Sequence, residues 1–131
     1  MLNRSVRRIC LACIIIALLA ACSGAGAAGP GAAVQAYLES LVKQDADRLA
    51  TLVCADWEAQ ARQELDAFQG VTAALEGVTC AESAKDGDVS LVTCEGKIVA
   101  TYNNEQQDLP VSGRTFRVLQ EGGDWRVCGY Q

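Results

Sequence analysis

The sequence predicts an α+β domain in which N-terminal helices pack on an antiparallel sheet of three to four strands. Two observations carry that expectation. Apolar residues recur at helical spacing between Val34 and Phe68. Beyond Gly70 the pattern changes to β-rich runs separated by Gly and Asp turns. Helices followed by strands give a segregated order, not the alternation that builds a parallel sheet. No internal repeat is visible.

The chain opens with Arg4, Arg7 and Arg8 and then runs without charge from Ile9 to Ala21. A membrane span needs about 20 apolar residues, and the Gly-rich stretch that follows is a poor helix former. A basic start, a short apolar run and small residues behind it read as a signal peptide over 1–21. Leu19-Ala20-Ala21-Cys22 resembles the lipobox of bacterial lipoproteins. The resemblance implies cleavage before Cys22, a lipid on its thiol, and an extracytoplasmic domain held on a cell membrane. Without the three Arg, 8 basic residues remain against 16 acidic ones. Such a surface repels nucleic acid and anionic headgroups, so the lipid is expected to provide the membrane partnership.

Residues 22–33 read as the lipidated Cys and a flexible tether. Gly24-Ala25-Gly26-Ala27-Ala28-Gly29 matches the dinucleotide fingerprint by letter. That motif works only between a strand and a helix, so no cofactor is expected. The domain is expected over 34–131. Val34, Tyr37, Leu38, Leu41 and Val42 form one helical stripe. Asp45 is a good N-cap for a short second helix containing Leu49, Leu52 and Val53. Asp56 is placed to cap a third, with Trp57, Ala61, Leu65 and Phe68 on one face and Gly70 at its end. Strand signals follow at Val78–Cys80, at Val89–Tyr102 with Gly96 as a bulge candidate, at Arg114–Gln120 and at Trp125–Tyr130. Lys85-Asp86-Gly87-Asp88 and Glu121-Gly122-Gly123-Asp124 read as hairpin turns, and Asn103–Asp108 as a polar loop.

Of seven cysteines, Cys10 and Cys13 fall in the signal and Cys22 is the lipid site. Cys54, Cys80, Cys94 and Cys128 remain, an even set that suits two disulfides in an exported domain. They lack the close Cys-x-x-Cys spacing of a metal site. A hairpin centred on Gly87 sets Cys80 opposite Cys94, which leaves Cys54 for Cys128. If Phe116, Val118, Trp125 and Val127 all face inward, Cys128 faces outward. A bulge, or a three-residue turn at Gly122, would relieve that conflict. Apolar residues on both parities of the last two strands leave room for an envelope-protein partner or self-association.

The run Val34-Gln35-Ala36-Tyr37-Leu38, then Lys43-Gln44-Asp45-Ala46-Asp47, then the hairpin closing on Trp125-Arg126-Val127, resembles the nuclear transport factor 2-like superfamily. The resemblance spans the folded domain and implies a cone of helices against a curved antiparallel sheet. Its members include isomerases, dehydratases and adaptors, so fold alone does not assign function. The chain has no His, which removes the commonest general base and any Ser-His or Cys-His system. Asp45, Asp47, Glu58, Asp66, Glu82, Asp86, Asp88 and Glu105 read as solvated charge. No catalytic residue is expected. Candidates for a pocket are Tyr37, Trp57, Tyr102, Arg117 and Tyr130, which would admit a small hydrophobic ligand.

Cys22→Ser is expected to leave the chain unprocessed or soluble. Retention on membranes after a carbonate wash, with cleavage at the same bond, would contradict the lipoprotein reading.

Overall fold

The computed structural model describes residues 28–131. The expected signal peptide, Cys22 and the first part of the tether lie outside the described residues. Among the described residues no helix is long and apolar enough to cross a membrane.

Helix α1 spans Pro30–Lys43, α2 Ala46–Leu52 and α3 Glu58–Ala67, with a 3₁₀ turn at Ala55–Trp57. Strands β1 Thr72–Asp86, β2 Val89–Tyr102, β3 Glu105–Pro110, β4 Thr115–Glu121 and β5 Asp124–Tyr130 form one antiparallel sheet. The fold is therefore α+β as expected, with five strands instead of three or four. The additional strand is β3, which overlaps the stretch Asn103–Asp108 that reads as a polar loop from sequence. Asn103 and Asn104 adopt positive φ and make a tight turn. All six residues of β3 are exposed, so no buried alternation marks the strand in the sequence.

Helix α1 starts earlier than the sequence suggests, so the expected tether of 22–33 is too long. Pro30 occupies the first turn, where its fixed φ suits the helix and its missing N–H costs nothing. Gly31 lies so close to β1 that a Cβ there would collide with the Cys80 carbonyl. The buried face of α1 is Ala33, Val34, Tyr37, Leu38, Ser40 and Leu41, while Val42 is half-buried. Asp45 caps α2 through its carboxylate, which accepts the Arg48 N–H at 3.0 Å. Asp56 does not cap α3: it lies inside the 3₁₀ turn, and Trp57 stands at the N-cap without a side-chain bond.

The sheet order is β1-β2-β4-β5, with β3 also paired to β2. One edge of β2 carries β4 along Ser90–Thr93 and β3 along Lys97–Tyr102. Strands β3 and β4 are thus two halves of one line, interrupted at 111–114. The interruption is anchored by the Val111 N–H, which donates to the Gly96 carbonyl at 3.1 Å. On the other edge of β2, Gly77 and Val78 stand opposite the single residue Gly96. Both glycines have positive φ, and a Cβ on Gly96 would meet the Gly77 backbone. The bulge requires glycine, and it bends β1. Outside the sheet, Lys97 joins Glu76 and Asp108 across three strands.

Ser90, Val92, Cys94, Ile98 and Ala100 of β2 face the core together with Phe116, Val118 and Val127. Each large apolar side chain buried there contributes about 1.5–3 kcal/mol. Cys80 and Cys94 are direct register partners and form a disulfide, with Cα atoms 4.1 Å apart. The tip of that hairpin is a two-residue turn, Gly87-Asp88, and a register shift between Glu82 and Ala84 restores the cysteine alignment. Cys54 and Cys128 form the second disulfide, with Cα atoms 4.9 Å apart. The face conflict at Cys128 is resolved by a bulge between the Phe116 and Val118 positions, beside Gly129. The Gly122-Gly123 turn keeps two residues. Val53 bridges Val127, and the Cys54 N–H donates to the Val127 carbonyl at 2.9 Å, so the helical half is fastened to the sheet edge.

Non-reducing peptide mapping is expected to yield Cys80–Cys94 and Cys54–Cys128 peptides. Replacing Cys80 and Cys94 together by Ala should lower unfolding free energy by about 3 kcal/mol. A main Cys54–Cys80 or Cys54–Cys94 species would contradict the register.

Candidate functional site

A cavity of about 460 Å³ opens between the end of α3 and the broken β3/β4 line. That size falls within the range of small-molecule sites, about 300–1,000 Å³. Its walls are largely apolar: Leu41 from α1, Phe68 and Val71 after α3, Ile98 and Ala100 from β2, and Leu109 and Val111 at the strand break. Among the described residues the exposed large hydrophobics are Tyr102, 60% exposed, and Leu109, 41% exposed, and both line this cavity. The wall at Phe68 and Val71 is held by Gln44, the α1 C-cap. Its amide nitrogen donates to the Phe68 carbonyl at 2.9 Å and to the Val71 carbonyl at 3.3 Å.

The polar end is built around Glu64 of α3. One carboxylate oxygen accepts the Tyr37 hydroxyl and the other accepts the Tyr130 hydroxyl, each at 2.7 Å. The carboxylate thereby joins α1, α3 and β5. Hydrogen bonds to a charged group contribute about 1.5–3 kcal/mol each. Behind this clamp the rings of Tyr37, Phe116, Tyr130 and Trp57 meet edge to face in sequence, with centroids 6.3, 5.4 and 5.5 Å apart. The Arg114 guanidinium lies over the Tyr130 ring, 4.6 Å from its centroid. The Trp57 indole N–H is buried without a well-formed hydrogen bond, although it lies near enough to the Tyr37 oxygen to favour the phenolate slightly.

Burial, then the Glu64 carboxylate, push the Tyr37 phenol far above its ordinary value. The same causes raise Tyr130, opposed by the Arg114 charge. A phenol held neutral by the fold stabilises it below the unfolded value of 10.0, and that contribution is lost as pH rises above it.

The sequence candidates are distributed unevenly around this site. Tyr102 and Tyr130 line the cavity. Tyr37 is fully buried behind Glu64, and Trp57 packs on Tyr130, so both support the wall from outside. Arg117 does not reach it. Phe116 and Val118 take the inward positions of β4, and strand alternation turns Arg117 to the opposite face. The cation in the wall is Arg114. Sequence reasoning missed Glu64, Arg114 and Gln44. Glu64 carried a signal, since it stands seven residues after Trp57 and four before Phe68, on the inward stripe of its own helix. Cys54 and Cys128 lie beside Glu121, but both sulfurs are in the disulfide and offer no thiolate to a metal.

Compared with known proteins, the chain matches no family model and no curated sequence. Two disulfides point to an oxidising, extracytoplasmic environment.

Glu64→Gln keeps the shape of the clamp and removes its charge. Unfolding free energy should fall by about 1–3 kcal/mol, and tyrosinate absorbance should appear at lower pH than in the native chain. In the native chain, ionisation of Tyr37 and Tyr130 should coincide with loss of stability above about pH 10. An unchanged titration in the variant would contradict the clamp.

Proposed function

We propose that this protein is a lipid-anchored extracytoplasmic binding domain that takes a small hydrophobic ligand into the cavity between α3 and the β3/β4 line. The observation that carries the reading is the cavity itself: apolar walls, volume suited to a small molecule, and exposed Tyr102 and Leu109 at its rim. Exposed apolar surface gathered around one opening is better accounted for by a ligand than by chance. The nuclear transport factor 2-like resemblance agrees with an interior pocket between helices and sheet.

Binding is favoured over catalysis. Of the two acids that line the cavity, Glu64 already accepts two tyrosine hydroxyls and Glu105 is exposed, and the chain has no His to act as a base near neutral pH. The signal-like N-terminus and the lipobox support the anchor at Cys22. With α1 beginning at Pro30, the segment from Cys22 spans at most about 28 Å.

N-phenyl-1-naphthylamine, a neutral fluorescent probe, tests the cavity. It should bind, gain fluorescence and raise the melting temperature. Ala67→Trp, an exposed lining position, should fill the mouth and abolish binding while the melting temperature without probe stays the same. Equal binding by that variant would move the site elsewhere.

A further inference from the structure

The apolar walls leave open what holds the polar end of a ligand. Glu64 has one tyrosine hydroxyl on each oxygen, so its charge is already met by donors. Glu105 lies at the rim and is exposed. Arg114 differs from both. It is the cation among the lining residues, and none of the ion pairs of the described residues includes it. Its guanidinium lies over the Tyr130 ring, with its carbon 4.6 Å from the centroid, which restricts where the donor fork can sit. A guanidinium is a planar donor fork whose bidentate geometry matches a carboxylate.

From this arrangement we infer that the cavity binds an apolar molecule carrying one carboxylate, with the chain against Leu41, Phe68, Ile98 and Val111 and the head on the Arg114 fork. The inference rests on the ligand-binding reading above and specifies its chemistry. A single head charge is required. One Arg balances one carboxylate, whereas Glu105 at the rim, on a domain of acidic balance, would oppose a dianionic phosphate. The apolar lining requires the remainder of the ligand to be hydrocarbon, since an unpaired polar group placed there would lose its hydration. Tyr130 is then a positioning residue: its hydroxyl is fixed by Glu64, and its ring holds the guanidinium.

The test is titration of the full chain in lipid nanodiscs with decanoate, decanol and decylamine, subtracting empty nanodiscs. Decanoate should bind best. Arg114→Gln should weaken decanoate by about tenfold or more, the loss of a charge-assisted bidentate pair, and weaken decanol far less, while an unchanged melting temperature without ligand shows that the variant is folded. Arg114→Lys should recover only part of the loss, because an ammonium keeps the charge but not the fork. Equal decanoate affinity in Arg114→Gln, or decylamine as the best ligand, would overturn the carboxylate inference while the cavity reading stands. Absence of binding by all three, decanol included, would overturn both.

Discussion

The carboxylate of Glu64 stands where three elements meet. Helix α3 supplies it, and Tyr37 of α1 and Tyr130 of β5 each donate a hydroxyl to it. A carboxylate in a largely apolar wall is costly unless its charge is met by donors. The two phenols meet it without adding a counter-ion, and their own neutrality is reinforced in return. The position of Tyr130 then sets where the Arg114 guanidinium lies over its ring, and its edge contacts with Phe116 and Trp57 brace that wall of the cavity from behind. Removing the acid alone would leave two hydroxyls without their partner, so the arrangement is coupled and not a sum of separate bonds.

Room for a cavity beside this clamp comes from the sheet. Had β3 and β4 formed one uninterrupted strand along β2, side chains would follow the sheet pleat through the space where Val111 and Arg114 now turn. The break sits opposite Gly96, whose positive φ and close contact with Gly77 also set the bulge in β1. Irregularity on both edges of β2 thus falls at one level of the sheet, and the cavity wall borders it. The two disulfides act elsewhere. One pins the β1–β2 hairpin, and the other ties the end of the α2 region to β5, so the frame around the cavity is cross-linked on both sides. A small domain with a modest core has much to gain from such links.

The architecture was legible where pattern and turn chemistry agreed. The α1 stripe from Val34 to Leu41, the Asp45 cap, and the Cys80–Cys94 register all follow from spacing, and the structure has them. Strand β3 was not legible, because a strand exposed on both faces has no alternation to read. The start of α1 was hidden for a different reason: Gly and Ala at Gly31 and Ala33 resemble linker composition but serve close approach to β1 and burial. Of the site, the aromatic residues could be named from sequence, since large rings in a small domain are seldom idle. Which of them face the cavity could not, because the Cys128–Gly129 bulge decides the side on which Tyr130 emerges. Arg117 and Arg114 show the same limit. One lies within a regular strand and alternates outward, and the other lies in the break, where alternation no longer applies.

The central claim is that an apolar ligand enters between α3 and the broken strand and does not spread over the outer sheet face. Methyl-labelled chain studied by NMR with decanol addresses it directly. Intermolecular nuclear Overhauser effects should connect the ligand to the methyl groups of Leu41, Ile98, Leu109 and Val111, which line the cavity, and not to Leu91 and Leu119, which lie on the other face of the sheet beside Arg117. Contacts confined to Leu91 and Leu119, or no contact to the cavity methyls at saturating decanol, would contradict the account.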